Sequence, residues 1–121
     1  MERRALIGLK PVKTSDPAAP QASYMRMPTV TANVARPGGQ RGVMTVETGI
    51  DAPDAALRAR AAQSLPRLRA AYAAVVQRSA STLRPGFPPD VERLVTELQA
   101  ATNTTLGRPG ARLLIGTVMV V

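Results

Sequence analysis

Residues 53–83, PDAALRARAAQSLPRLRAAYAAVVQRSASTL, contain the clearest regular spacing of apolar side chains in this chain. At about 100° per residue these side chains fall within an arc roughly 100° wide, which is typical of the buried stripe of an amphipathic helix. The stripe consists of Leu57, Ala61, Leu65, Leu68, Tyr72, Val75, Val76 and Leu83. The spacing therefore predicts a long helix, from which the rest of the fold can be worked out.

Pro66 lies inside this pattern, and proline removes a helical hydrogen bond and collides with the preceding turn. The sequence predicts either a kink or a restart of the helix with Ser64 as a fresh cap. Because the apolar stripe keeps its phase across Pro66, we expect one kinked helix. At the start of the helix, Asp51 is expected to accept a hydrogen bond from a first-turn N–H. The negative charge of Asp54 is expected to interact favourably with the helix dipole.

Two strands are predicted before the helix. Residues 24–35 alternate between apolar and polar side chains after Pro28, and residues 42–50 place Met44, Val46 and Ile50 on one face. The intervening segment, RPGGQR, carries two glycines that suit a tight turn. These residues predict a β-hairpin, with Pro28 at an edge or at the beginning of its strand.

A second helix and a third strand are predicted after residue 83. The segment RPGFPPD cannot continue a helix, and we expect its Phe87 to fill the junction between the two helices. Asp90 is expected to open the second helix and Gly107 to end it. Residues 111–121, ARLLIGTVMVV, are almost entirely apolar, which predicts a strand covered on both faces.

The order β-β-α-α-β predicts an α+β fold, a three-stranded sheet with a helical hairpin packed on one face. The folded domain should span residues 24–121. If the helices are antiparallel, the third strand runs antiparallel to the second and parallel to the first. Which of them it borders stays open.

Residues 1–23 are predicted to form a basic N-terminal segment and a Pro/Ala-rich linker. Arg3 and Arg4 precede a short apolar run, as at the opening of a twin-arginine export signal. Lys10 ends that run after residues 5–9, so the segment is an incomplete signal or a plain basic terminus. If Met1 is the true start and no signal operates, the expected compartment is the cytoplasm.

Composition limits the possible chemistry. Cysteine and histidine are absent, which excludes disulfides, thiolate nucleophiles, Cys/His metal sites and Ser-His arrangements. A carboxylate pair among Glu47, Asp51 and Asp54 could perform acid/base chemistry, but helix capping explains such residues better. We therefore expect no enzymatic activity, no catalytic residues, no metal and no cofactor.

The net charge of +8 favours anionic partners. Arg60, Arg67 and Arg78 lie far from the apolar stripe, whereas Arg58 and Arg69 border it, where their stems can cover core residues. The outer row is a candidate partner-binding surface for a protein's acids or for anionic lipid head groups. The alternative is a solvated helix face.

Several positions resemble the periplasmic domain of the flagellar basal-body-associated FliL proteins. They are Thr31-Ala32-Asn33-Val34 at the end of strand one, an acidic-proline helix start, Pro66 and Leu68 in the long helix, Leu94, Leu98, Thr102, Asn103 and Leu106 in the second helix, and the closing Ile115–Val121. The resemblance spans residues 24–121. The chain also looks like small alphaproteobacterial relatives that carry export-type N-termini.

The resemblance implies a fold similar to stomatin/prohibitin-type domains and a non-enzymatic structural role. It also implies homo-oligomeric rings around the stator units of the flagellar motor, in the periplasm or at the inner membrane. In that family a transmembrane helix precedes the domain, whereas here only the fragment RRALIGL does. The alternative function is a basic nucleic-acid-binding module, although three aromatic residues offer little base stacking.

Overall fold

The structure, a computed structural model, describes residues 23–121. In chain order these residues form β1 (Tyr24–Arg26), β2 (Val30–Ala35), β3 (Arg41–Asp51), α1 (Ala55–Gln63), α2 (Leu65–Thr82), α3 (Val91–Leu106) and β4 (Arg112–Val120). The α+β class agrees with the expectation from sequence, and the predicted domain bounds, residues 24–121, stay a prediction. The expectations for residues 1–22 lie outside the described residues, and the likeness to stomatin/prohibitin-type domains stays a prediction.

Strand β3 is the centre of the sheet, and every other strand pairs with it in antiparallel orientation. β1 and β2 share one edge of β3, and β4 occupies the other. The prediction of three strands is wrong because the first one is split at Met27–Thr29. The N–H of Met27 still reaches the Thr48 carbonyl at 3.1 Å, but Pro28 has no N–H to donate.

The hairpin prediction is confirmed. Met44, Val46 and Ile50 are completely buried on the helix side of β3, and Val43, Thr45 and Glu47 point to the opposite side. The last strand, β4, runs antiparallel to β3, as expected, and it is β3 that it borders.

The prediction of one kinked helix is wrong, since α1 and α2 are separate helices joined at Ser64. Ser64 has φ −102° and ψ 12°, and its N–H bonds to the Ala61 carbonyl at 3.1 Å, which closes α1. The Ser64 carbonyl then accepts the N–H of Leu68 at 2.9 Å, which opens α2. Pro66 sits in the first turn of α2, where its missing N–H costs nothing.

The caps of the helices are partly as expected. Asp51 is the last residue of β3, so the cap of α1 is Asp54, whose carboxylate accepts the N–H of Leu57 at 2.8 Å. Asp90 caps α3 by accepting the N–H of Arg93 at 3.1 Å, and Gly107 ends it with φ 84°. The Asp90 and Gly107 predictions are therefore confirmed, and the Asp51 prediction is not.

The core lies between the sheet and the α2–α3 hairpin. α2 packs over β2 and against α3, which in turn reaches the start of β4. The apolar stripe predicted for α1 and α2 is the buried face, and Leu68, Tyr72 and Val76 have no solvent exposure. The helical hairpin on one face of the sheet is thus confirmed.

A chain of buried hydroxyl groups joins the two long helices. The Thr102 hydroxyl lies 2.8 Å from the Leu98 carbonyl, which can only accept. Its single hydrogen is used there, so the contact between Thr102 Oγ1 and the Tyr72 hydroxyl requires Tyr72 to be the donor. Burial raises the pKa of Tyr72, because a phenolate there would lose its water.

Replacing Leu68 by alanine should lower the free energy of unfolding by about 2–5 kcal/mol, through lost transfer free energy and the cavity left behind. Urea denaturation measures this change. The control is Gln77→Ala in the same helix, an exposed position where we expect less than about 0.5 kcal/mol. Equal effects of the two substitutions would show that Leu68 does not lie in the core.

The direction of these hydrogen bonds predicts that substitutions at Thr102 and Tyr72 lower the free energy of unfolding by different amounts. Thr102→Val leaves the Tyr72 O–H buried without an acceptor and should cost about 1–3 kcal/mol, whereas Tyr72→Phe removes only one bond, at about 0.5–1.5 kcal/mol. Parallel urea titrations compare the two. A larger loss for Tyr72→Phe would mean that the donor assignment is reversed.

Candidate interaction surface at the open edge of strand β4

Strand β4 lies at an edge of the sheet with one face open, so the expectation that both faces are covered is wrong. All three helices of the described residues lie on one side of the sheet, and among residues 23–121 no second layer covers the other side. Met119 and Val121, which point away from the helices, are 48% and 59% exposed. Residues 113–121 contain neither a charge nor a proline, the usual means of protecting an edge.

The pairing register shows which backbone groups of β4 face solvent. Val43 and Val121 exchange both hydrogen bonds, at 2.9 and 3.0 Å. Bonded and non-bonded pairs alternate in an antiparallel ladder, so Thr45–Met119 is the next bonded pair. The N–H and C=O groups of Val118 and Val120 therefore point away from β3, toward the open edge.

The first part of this edge is covered by Gln99 of α3. Its side-chain oxygen accepts the N–H of Leu113 at 2.8 Å, and its amide nitrogen donates to the Ala111 carbonyl at 2.9 Å. A register shift opposite Val46–Thr48 then interrupts the strand around Gly116. The uncovered part of the edge is thus the short segment 117–120.

An apolar groove of about 440 Å³ runs along this uncovered segment on the helix side. Val118 and Val120, both half-buried, form one wall, and Leu83 and Phe87 form the other. Phe87 is 55% exposed, so the expectation that it fills the helix junction is wrong. The prolines of its loop hold it at the mouth of the groove.

Two arginines give the groove a positive charge. The Arg36 side chain crosses the sheet over Gly42, where an added Cβ would lie 2.5 Å from the Arg36 Cδ. The Arg84 guanidinium lies 4.2 Å from the centroid of the Phe87 ring. The groove is lined by both arginines and by no carboxylate.

A larger hollow of about 520 Å³ lies between the end of α2 and the start of α3. It differs from the groove in the charges of the side chains that line it. Its lining includes Arg78, Arg84 and Arg93, but also Asp90 and Glu97. Glu97 pairs with Arg93 at 3.0 Å and with Arg78 at 4.0 Å. The charges of the hollow are thus partly compensated within the chain, and Arg84 lines both this hollow and the groove.

The structure does not assemble the predicted arginine row into a single site. All three side chains are exposed, but Arg60 lies on α1 and Arg67 and Arg78 on α2. Arg60 lies beside Gly107 at the end of α3, Arg67 donates to Ser64 Oγ at 3.1 Å, and Arg78 faces Glu97. Each therefore contacts a different part of its own domain. Their predicted role in partner binding stays a prediction.

The carboxylates considered for acid/base chemistry are also apart. Glu47 lies beside Gly116 on the open face of the sheet, and Asp51 is opposite Arg112. Asp54 accepts the N–H of Leu57 and pairs with Arg108 at 2.7 Å. These two contacts, the backbone bond first, lower the pKa of Asp54 below its usual range.

Among residues 23–121 no group of three or more acidic side chains is arranged to hold a metal ion. Within the same range no helix has the length and apolarity that a bilayer crossing requires. Comparison of the sequence with protein-family models and with curated proteins gave no match in either case.

Sequence reasoning missed the groove. The uncharged run 113–121 is the available signal, but such a run is equally typical of a strand buried on both faces. Gln99 carries no sequence signal of its role, because only the packing of α3 brings it to β4.

Amide hydrogen exchange tests the assignment of the open edge. The N–H groups of Val118 and Val120 should exchange at least roughly tenfold faster than that of Met119, which bonds to β3. Leu113 is the matched control, because its N–H points to the same edge but bonds to Gln99. Equal protection along residues 117–120 would contradict the assignment.

Proposed function

We propose that this chain is a non-enzymatic structural or interaction domain of a cell-envelope machine such as the flagellar basal body and its stator. It acts by self-association or by binding a membrane-protein partner, in the periplasm or at the inner membrane. The observation that carries the proposal is the uncovered segment of β4 with its apolar groove. Exposed sheet edges are surfaces to which another chain can add by main-chain hydrogen bonds.

The use of the polar residues supports a non-enzymatic role. Cysteine and histidine are absent, and Asp54 and Asp90 cap helices. Glu97 pairs with two arginines. These carboxylates are engaged in holding the fold, which leaves few groups for proton transfer or nucleophilic attack.

The flagellar assignment is supported by the positions that resemble the FliL family. Pro66 and Leu68 begin the long helix after its restart, and Thr102 and Asn103 lie near the end of α3. β4 closes the domain, as the closing strand does in the resemblance.

Nucleic-acid binding is the second candidate, and the exposed arginines Arg60, Arg67 and Arg78 favour it. Against it, Tyr72 is buried and the Tyr24 ring covers Gly49. Phe87 is the one aromatic ring that is more than half exposed, and it is stacked with Arg84, so the described residues offer little aromatic surface for bases. A steep loss of DNA affinity with rising salt would favour this candidate over an envelope role.

Deletion of the gene should reduce swimming under high viscous load and shorten the retention of stator units at the motor, because a supporting domain would be lost. Swimming speed and stator fluorescence at single motors measure these effects. A plasmid copy of the wild-type chain is the control and should restore both. Normal motility under high load in the deletion strain would contradict the flagellar assignment.

A further inference from the structure

We propose that the partner segment is an extended peptide of another protein, with apolar side chains at alternate positions and carboxylates beside them, which adds to β4 as a further strand. This inference rests on the proposed function and names the surface and the chemistry of the partner. The surface consists of the edge segment 117–120 and the groove beside it.

The backbone geometry fits strand addition. Val118 and Val120 present their N–H and C=O groups to the open edge, and their side chains line the groove. Directly opposite residues of paired strands project to the same face of a sheet. An added strand would therefore direct alternate side chains into the groove, toward Leu83 and Phe87.

The length of the added strand is limited at one end. Gln99 occupies the backbone groups of Ala111 and Leu113, and the register shift near Gly116 breaks the ladder. We therefore infer a short pairing segment of about four residues, whose affinity depends on the groove as well as on the main chain.

The positive charge of the groove indicates the chemistry of the partner segment. No carboxylate side chain lines the groove, whereas Arg36 and Arg84 do, so carboxylates on the peptide would complement them. A second copy of the chain fits less well. Its β4 carries Arg112 as the single charge and no acid, and the net charge of +8 makes two copies repel.

Fluorescence anisotropy with a labelled synthetic peptide tests the proposal. The probe is about eight residues long, with valine and threonine alternating and a pair of glutamates at each end. We expect saturable binding, and at least roughly tenfold weaker binding when the glutamates are replaced by lysines. Binding should also slow the amide exchange of Val118 and Val120.

Variants of exposed residues localise the site. Arg84→Glu should weaken binding roughly tenfold and Phe87→Ala roughly fivefold, as central contacts of an interface do. Arg69→Glu is the charge-matched control on α2, away from the groove, and should change the affinity by less than about twofold. Unchanged urea denaturation midpoints confirm that each variant is folded.

Two N-methylated peptides separate strand addition from simple groove binding. One carries methyl groups on the valine amides and the other on the threonine amides, so the side chains are identical. Only one set of amides faces β4, and only that peptide should lose binding.

Three outcomes would overturn the proposal. They are equal losses for Arg84→Glu and Arg69→Glu, equal binding of the two methylated peptides, and dimerisation through β4 that the peptide does not compete with, measured by analytical ultracentrifugation. If these occur while the deletion strain still swims poorly, the surface assignment fails and the flagellar role stands. If the peptide binds as proposed but the deletion strain swims normally, the surface assignment stands and the flagellar role fails.

Discussion

The burial of the apolar stripe of α2 is the constraint on which the rest of this structure depends. Leu68, Tyr72 and Val76 are fully buried between the sheet and α3, at the centre of the apolar surface that this small domain buries. With three aromatic residues in the whole chain, the core is made of small and branched side chains. The hydrogen bonds from Tyr72 to Thr102 and from Thr102 to the Leu98 carbonyl join α2 to α3 and fix the register of these two helices.

A one-sided helical layer has a direct consequence for β4. The helix pair covers the inner face of the sheet, and within residues 23–121 nothing covers the outer face or the final segment of β4. Polar side chains protect only part of this edge, since Gln99 covers its beginning and the register shift near Gly116 interrupts its middle. The final segment keeps free backbone groups beside apolar side chains, the combination on which strand addition depends.

The distribution of charge supports an interaction domain. Asp54, Asp90 and Glu97 are engaged in caps and ion pairs, while most arginines project into solvent. Exposed ion pairs of this kind contribute little to stability, so the excess positive charge has its main effect on which partners approach. Arg84 combines that charge with an exposed aromatic ring at the mouth of the groove.

The sequence by itself determined what depends on local spacing and local backbone chemistry. The stripe from Leu57 to Val76, the hairpin, the Asp90 cap and the Gly107 stop follow from periodicity and from φ preferences that act within a few residues. The restart at Ser64 and the split strand at Pro28 were visible as proline signals, but their outcome depended on which hydrogen bonds the neighbours could supply. Only the tertiary structure decided that β4 is an open edge, because an apolar run looks the same whether its second face is covered or bare. It also placed Gln99, Arg36 and Phe87 around that edge, since contacts between residues distant in the chain arise from the packing of whole elements.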